Sequence, residues 1–147
     1  DDVHIMTKIH ASTIQEANIV LLVDGNLEAA EEYFTPDYQV HIADHGMKGG
    51  CDMVKDNISS LRGSFSNIQV EVNILVESDT RVAWQRTLHA THSGAFKGFP
   101  ASGLQIVWRD MVTSEFRGDL IAEEWVLTDL AERLLLSRKR KPTAKQE

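Results

Sequence analysis

The spacing of apolar residues changes near residue 68, and this change divides the chain into a helical part and a strand part. Before it, apolar residues recur every three or four positions, as on one face of a helix. From Ile68 to Val76 they recur every second position, as in a strand with one buried face. The order of helices first and strands afterwards predicts an α+β fold.

Three helices are predicted in the first part. Thr13 stands three residues before Glu16, which indicates a capping box at the start of a helix over 13–24. A short helix over 27–34 must stop before Pro36, because the residue before proline avoids the helical region. A short strand at 38–42 follows. After Gly49-Gly50, the helical spacing resumes at 53–61.

The second part predicts four strands, at 68–76, 81–92, 104–114 and 120–128, in a curved and mostly antiparallel sheet wrapped around the N-terminal helices. The turn Arg117-Gly118-Asp119 joins the last two strands. If Phe116 lies near Leu120, paired positions sum to about 236, which sets Asp110 opposite Val126 and Val112 opposite Glu124. The opposite, outer face of the last strand then carries Ile121, Glu123, Trp125, Leu127 and Asp129.

A looser register between the strands at 81–92 and 104–114 places Arg86 near Asp110. Together these registers predict a cone-shaped molecule with a mostly apolar pocket, which is typical of small-molecule sites. The predicted apolar walls are Trp84, Leu88, Trp108 and Val126, and the predicted polar groups are Arg86, Asp110 and Glu124.

Composition limits the class of protein. The chain has 147 residues, of which 42% are hydrophobic, and this is enough for one domain over 1–137 with its own core. A single cysteine, Cys51, excludes an internal disulfide and fits a reducing compartment. No stretch has the charge pattern of a leader or the length of a membrane span. We therefore expect a cytoplasmic protein that does not enter a membrane.

The net charge of −7 is unevenly distributed. The last ten residues hold five basic side chains and one acidic side chain, so residues 1–137 carry a charge of −11. An acidic body repels a phosphate backbone, and the basic stretch lacks interleaved aromatic residues. We expect no nucleic-acid partner and a disordered, solvated tail at 138–147.

Four short motifs follow one another in a characteristic order. They are Phe34-Thr35-Pro36-Asp37-Tyr38, Ala90-Thr91-His92-Ser93-Gly94, Gly98-Phe99-Pro100-Ala101-Ser102-Gly103 and Glu124-Trp125-Val126 with Asp129. In this order the chain resembles the SnoaL-like polyketide cyclases, or ester cyclases, which have a nuclear-transport-factor-like fold. The resemblance extends from the first helix to Leu136.

The resemblance implies a homodimer in which each protomer encloses a pocket for a small hydrophobic molecule, with no metal and no organic cofactor. In the cyclases of this family, one pocket aspartate moves the proton of an aldol closure on a polyketide ester. By motif alignment this aspartate falls on Val126, and the family's histidine two residues earlier falls on Glu124. The family's polar residues on the neighbouring strand fall on Asp110 and Val112.

Two functions remain open, because valine has no proton to transfer. In the first, the acid has moved to Asp110 or Glu124, and the protein is a cofactor-free acid–base catalyst. It would cyclise, isomerise, hydrate or hydrolyse a small hydrophobic carbonyl compound. In the second, the protein is a non-catalytic small-molecule-binding or dimerisation module. Asp110 could equally form only an ion pair with Arg86, and Glu124 could face solvent if the register slips.

Further candidate residues each have a structural alternative. Asp129 is a third catalytic candidate, but it also fits a helix N-cap with Glu132. His92 and His41 are candidate ligand contacts, although His92 could simply bond a loop backbone. His41, Asp44, His45 and Cys51 match no zinc spacing. We expect the homodimer to form through the outer sheet face, where Met111 and Trp125 would otherwise be exposed.

Overall fold

The computed structural model describes residues 2–42 and 47–138, with side chains from residue 9 onward. Most of the predicted basic tail, residues 139–147, and the loop residues Asp44 and His45 lie outside this description. The described residues form a six-stranded, curled and open sheet with helices against one face, which confirms the α+β prediction. Among the helices described, none combines the length and the apolar character that crossing a bilayer requires.

The first helix, α1 (Asp2–Ala17), continues directly into a π-helical segment, Asn18–Val23. The predicted capping box at Thr13 is wrong, because Thr13 lies inside the helix and its hydroxyl donates a hydrogen bond to the Ile9 carbonyl at 2.9 Å. The predicted end is right. Gly25 has a φ of +73°, a left-handed conformation that ends the helix and suits glycine.

The next elements shift slightly from their predicted bounds. A 3₁₀ helix occupies Leu27–Glu32, and strand β1 (Phe34–Ile42) begins four residues earlier than predicted. Pro36 lies inside β1, where the pairing is irregular between Phe34 and Gln39, so its missing N–H interrupts no pair of the ladder. Strand β2 (Met47–Gly49) and helix α2 (Cys51–Ser64) follow.

Four long strands complete the sheet: β3 (Phe65–Glu77), β4 (Arg81–His92), β5 (Gln105–Arg117) and β6 (Leu120–Thr128). A last helix, α3 (Leu130–Ser137), packs after them. The strand order is β2-β1-β6-β5-β4-β3, and every neighbouring pair is antiparallel except β1 with β6. The predicted bounds of β4 and β6 are confirmed.

The predicted register of the β5–β6 hairpin is wrong by two residues. The turn has two residues, since Arg117 pairs with Leu120, and the ladder then skips Ala122 in a β-bulge. Val112 therefore faces Val126, and Glu124 faces Ser114. Because two is the period of a strand, the predicted faces survive for most residues. The exception is Ile121, which lies buried in the core and not on the outer face.

The predicted apolar face of β3 is only partly buried. Ile68, Val70, Val72 and Ile74 are half-buried, while Val76 is 67% exposed. β3 is an edge strand, so only one neighbour covers it along the sheet, and its pairing slips between Ile74 and Val76. The core proper lies between the sheet and the helices, in one cluster around Ile14, Trp84 and Val112 and another around Phe65 and Trp108.

Candidate functional site

A cavity of about 210 Å³ lies between the inner face of the sheet and the helices α1 and α2. Its helical side includes Ile14, Leu21, Val54 and Ile58, so most of its wall is apolar. All seven residues predicted as pocket walls and polar groups line this cavity: Trp84, Leu88, Trp108, Val126, Arg86, Asp110 and Glu124.

Strand alternation brings the polar residues of the cavity together. Arg86 on β4 pairs directly with Asp110 on β5, and Ser114 on β5 pairs with Glu124 on β6. Directly paired side chains lie on the same face of the sheet and within contact distance. The inner faces of three neighbouring strands therefore supply Arg86, Asp110 and Glu124 to the cavity.

At one polar position, Arg86 binds Asp110 and Asn18. Its Nε and Nη2 donate to Asp110 Oδ2 at 2.9 and 2.8 Å, and its Nη1 donates to Asn18 Oδ1 at 2.8 Å. The Asn18 amide, at the start of the π-helical segment, in turn donates to the Ile14 carbonyl of α1 at 2.8 Å. Asp110 Oδ1 is buried and has no hydrogen-bond partner among the described residues. This oxygen can therefore accept a hydrogen bond from a molecule in the cavity.

At the other polar position, the carboxyl group of Glu124 is buried beneath two hydroxyl groups. Tyr38 donates to its Oε1 at 2.6 Å and Ser114 donates to its Oε2 at 2.5 Å, while Trp84 Nε1 donates to Ser114 at 2.8 Å. Burial raises the pKa of Glu124, and the hydrogen bonds from Ser114 and Tyr38 and the charge of Arg86 only partly oppose this shift. Burial and the neighbouring Glu124 raise the pKa of Tyr38 well above 10.0. Glu124 can therefore gain and lose a proton more readily near neutral pH than an exposed glutamate.

Val126 lies on the cavity wall, at the position where motif alignment places the family's acid. It faces Val112, and Asp110 faces Thr128, so the predicted pairing of Asp110 with Val126 is wrong. Thr128 also lines the cavity. The carboxylates nearest to Val126 in the sheet are therefore Glu124, two residues away on the same face, and Asp110, two residues from its partner Val112.

Three other predicted site residues do not line the cavity. Asp129 Oδ1 accepts a hydrogen bond from the Arg109 backbone at 2.8 Å, and its Oδ2 pairs with Arg133 at 3.1 Å. It stands at the N-cap of α3 without making a side-chain cap, so the predicted capping box with Glu132 does not form. These contacts give Asp129 a structural position at the base of α3, outside the cavity.

The two candidate histidines also lie elsewhere. His92 is buried against the Phe65 ring, with ring centroids 5.1 Å apart, and burial lowers its pKa. His41 lies on the outer side of β1, where its Nε2 is 2.6 Å from Glu123 Oε2 and its ring stacks on Trp125. The structure therefore separates both rings from the carboxylates of the cavity.

Over the ranges 2–42 and 47–138, no group of three or more His, Cys, Asp and Glu side chains is arranged to hold a metal ion. Of the four residues compared with a zinc site in the sequence, Asp44 and His45 fall outside these ranges. Cys51 is half-buried, and burial raises the pKa of its thiol, which makes it a poorer nucleophile than an exposed cysteine.

Sequence reasoning missed three polar residues that hold the site together: Asn18, Tyr38 and Ser114. Two of them carried a usable signal. Ser114 shares the inner face with Asp110 and Val112 by simple alternation, and Tyr38 shares the inner face of β1 with Val40 and Ile42. Asn18 lies among apolar helix positions and had no such signal, because its role depends on Arg86 reaching it from another element.

Comparisons with known proteins agree with the fold. The family model of SnoaL-like polyketide cyclase matches residues 12–135. A search of curated proteins finds no match. Among solved structures, the chain is similar to IdmH, a candidate polyketide cyclase from Streptomyces antibioticus, with a TM-score of 0.74 and 23% identity, over 85% of this chain and 95% of that one.

Two further structures show the same fold. A candidate polyketide cyclase from Acidithiobacillus ferrooxidans has a TM-score of 0.78 and 23% identity, over 90% of this chain and 96% of that one. AclR from Streptomyces galilaeus, a candidate hydroxylase, has a TM-score of 0.76 and 21% identity, over 94% of this chain and 91% of that one. At these identities the likeness shows the fold alone, so the reaction has to be argued from the residues of the site.

Proposed function

Because the chain belongs to the SnoaL-like polyketide cyclase family, we propose that it is an acid–base catalyst that acts, without a cofactor, on a small hydrophobic carbonyl compound. The reaction would begin with removal of a proton next to the carbonyl group, as in a cyclisation or an isomerisation. Hydration or hydrolysis would use the same groups to activate water.

The observation that carries this proposal is the state of Glu124. Its carboxyl group is buried in a mostly apolar cavity, and burial raises its pKa. A general base works best when its pKa is close to the working pH, and burial is the usual way to raise the pKa of a glutamate. We assign Glu124 as the proton carrier that compensates for the valine at position 126.

The neighbouring groups support this role. Tyr38 and Ser114 donate hydrogen bonds to the two oxygens of Glu124 and so fix its orientation toward the cavity. Asp110 is held by Arg86 through Oδ2, and its free Oδ1 would accept a hydrogen bond from the bound molecule. The positive charge of Arg86 would stabilise an enolate oxygen as it forms.

The test is exchange of the protons next to a carbonyl group in deuterated water, followed by NMR on 2-tetralone and ethyl benzoylacetate. Glu124→Gln keeps the shape of the side chain but removes its titratable proton, so the protein-dependent exchange should fall about a hundredfold. Glu123→Gln is the matched control, because Glu123 is the next residue on the same strand and faces the outer side. Equal rates for the wild type and Glu124→Gln would refute the assignment.

A second function, a binding module without catalysis, is favoured by one observation. Val126 stands on the cavity wall where the resemblance places the catalytic aspartate, so the usual acid is missing. On this hypothesis the two ketones would bind, but no exchange would depend on Glu124 or Asp110. This alternative would be supported if calorimetry shows that the ketones bind while the rate of proton exchange is the same with and without protein.

We also propose that the protein is a homodimer formed through the outer face of the sheet. Val107, Met111 and Leu127 are exposed there, by 37%, 44% and 50%. All three lie on the strand positions that point away from the cavity, on the central strands β5 and β6. Large apolar side chains in the middle of a sheet are the usual core of such an interface.

A further inference from the structure

The loop between β4 and β5 contains a small hairpin turn over Phe96, Lys97, Gly98 and Phe99. The backbone N–H of Phe96 bonds the Phe99 carbonyl at 2.9 Å, and that of Phe99 bonds the Phe96 carbonyl at 2.8 Å. Both central residues have positive φ angles, +45° for Lys97 and +84° for Gly98, which is the pattern of a type I′ turn.

Lysine is an unfavourable residue at the first central position of such a turn. Asparagine, aspartate or glycine is preferred there, because a longer side chain adopts the left-handed conformation only at a cost. Residues held in such conformations are concentrated at functional sites. The choice of lysine at position 97 therefore calls for a reason beyond the turn itself.

The position of Lys97 supplies this reason. Phe96 is buried in the cavity wall, and the exposed Lys97 lines the same cavity at its solvent side. Its Nζ lies 5.4 Å from the centroid of the Phe96 ring, a cation–π contact. In the described part of the molecule, Lys97 makes no ion pair with a carboxylate.

Two uncharged polar residues line the cavity from the helical side. Asn57 and Ser60 lie on α2, and within the described ranges their side chains make no hydrogen bond. Arg138 adds a second cation to the same loop, since its guanidinium lies 4.5 Å from the Phe99 ring centroid. The wall of the cavity therefore combines an apolar body with an exposed lysine, an exposed serine and a half-buried asparagine.

From this arrangement we infer a subsite for an anionic group at the entrance of the cavity, with Lys97 as the residue that determines specificity. The ligand it fits is a hydrophobic carboxylic acid whose apolar part enters the cavity and whose carboxylate stays at the entrance. The neutral ester of the same acid would lose this contact. The inference rests on the proposed function, since it takes the cavity as the ligand site.

The test compares 2-naphthylacetate with its methyl ester by isothermal titration calorimetry on the full chain. Lys97→Asn removes the charge and places a favoured residue in the turn, so the protein should melt at the same temperature or higher. Its affinity for the acid should fall about fivefold, the size expected of an ion pair at a partly exposed site, while its affinity for the ester stays constant. Lys97→Arg keeps the charge and should keep the preference for the acid.

Lys48→Asn is the matched control, because Lys48 is an exposed lysine that does not line the cavity, and both affinities should stay unchanged. If Lys97→Asn leaves the affinity for the acid intact while the ester binds normally, the entrance subsite is wrong and the ligand cavity stands. If neither compound binds any variant, the ligand cavity is wrong and this inference fails with it.

Discussion

The ion pair between Arg86 and Asp110 offers a quantitative test of the site, because a single variant can remove one partner and a double variant can remove both. Arg86→Met keeps the apolar stem of the side chain but removes three hydrogen bonds, two to Asp110 and one to Asn18. The side chain of Asp110 is only 9% exposed, so the variant leaves a buried carboxylate without a partner.

Breaking a buried ion pair from one side costs about 3–5 kcal/mol in free energy of unfolding. The Arg86 side chain is 21% exposed, and water can partly replace it, so we expect the lower end, about 3 kcal/mol. For a chain of this size that corresponds to a fall in melting temperature of about 10 °C. The double variant Arg86→Met/Asp110→Leu also removes the orphaned charge and should recover at least about 2 kcal/mol of this loss.

The assay is urea unfolding followed by tryptophan fluorescence, which Trp84 and Trp108 report from inside the cavity wall. Arg81→Met is the control, because Arg81 pairs with Glu115 across the same two strands but is 59% exposed. It should cost less than about 1 kcal/mol. A loss of this small size for Arg86→Met, or a double variant less stable than the single one, would refute a buried pair.

Two further predictions follow from the site and from the outer face. The raised pKa of Glu124 means that the folded state binds this proton more tightly than the unfolded state, so the contribution of Glu124 to stability should be full below about 4.5 and fall as the pH rises through the folded pKa. The free energy of unfolding in urea, measured for the wild type and for Glu124→Gln across this pH range, should give a difference that falls as the pH rises. A difference that rises would contradict the prediction. For the proposed dimer, sedimentation velocity at micromolar concentration should give a dimer for the wild type and a monomer for Met111→Glu, which places a charge among exposed apolar side chains. Glu77→Gln on the edge strand β3 should stay dimeric, and a dimeric Met111→Glu would exclude this face.

The strands could be predicted because alternation reports burial directly. The bounds of β4 and β6 are those read from the sequence, and the inner positions of β4 and β5 carry the expected residues. The helix start was not predictable in the same way. Thr13 has the sequence of a capping box, but its hydroxyl bonds the Ile9 carbonyl inside a longer helix, so a local motif was overridden by the residues before it.

The site could be predicted as a set of residues but not as a set of contacts. Pairing Arg86 with Asp110 required only the register of two regular strands. Contacts such as Arg86 with Asn18, or Glu124 with Tyr38, join elements separated by 68 and 86 residues in the chain. Such contacts depend on how the helices and β1 close over the sheet, and no periodicity in the sequence contains that information.

The bulge at Ala122 has a consequence for how this hairpin can change in evolution. The turn has two residues, and the ladder skips one residue just beyond it, so the turn length and the bulge together keep Glu124 and Val126 on the inner face. Loss of the bulge alone, or a change of the turn by one residue alone, would present Glu123 and Trp125 to the cavity instead. A single-residue insertion or deletion in the turn would therefore need a matching change in the bulge to keep Glu124 and Val126 on the inner face.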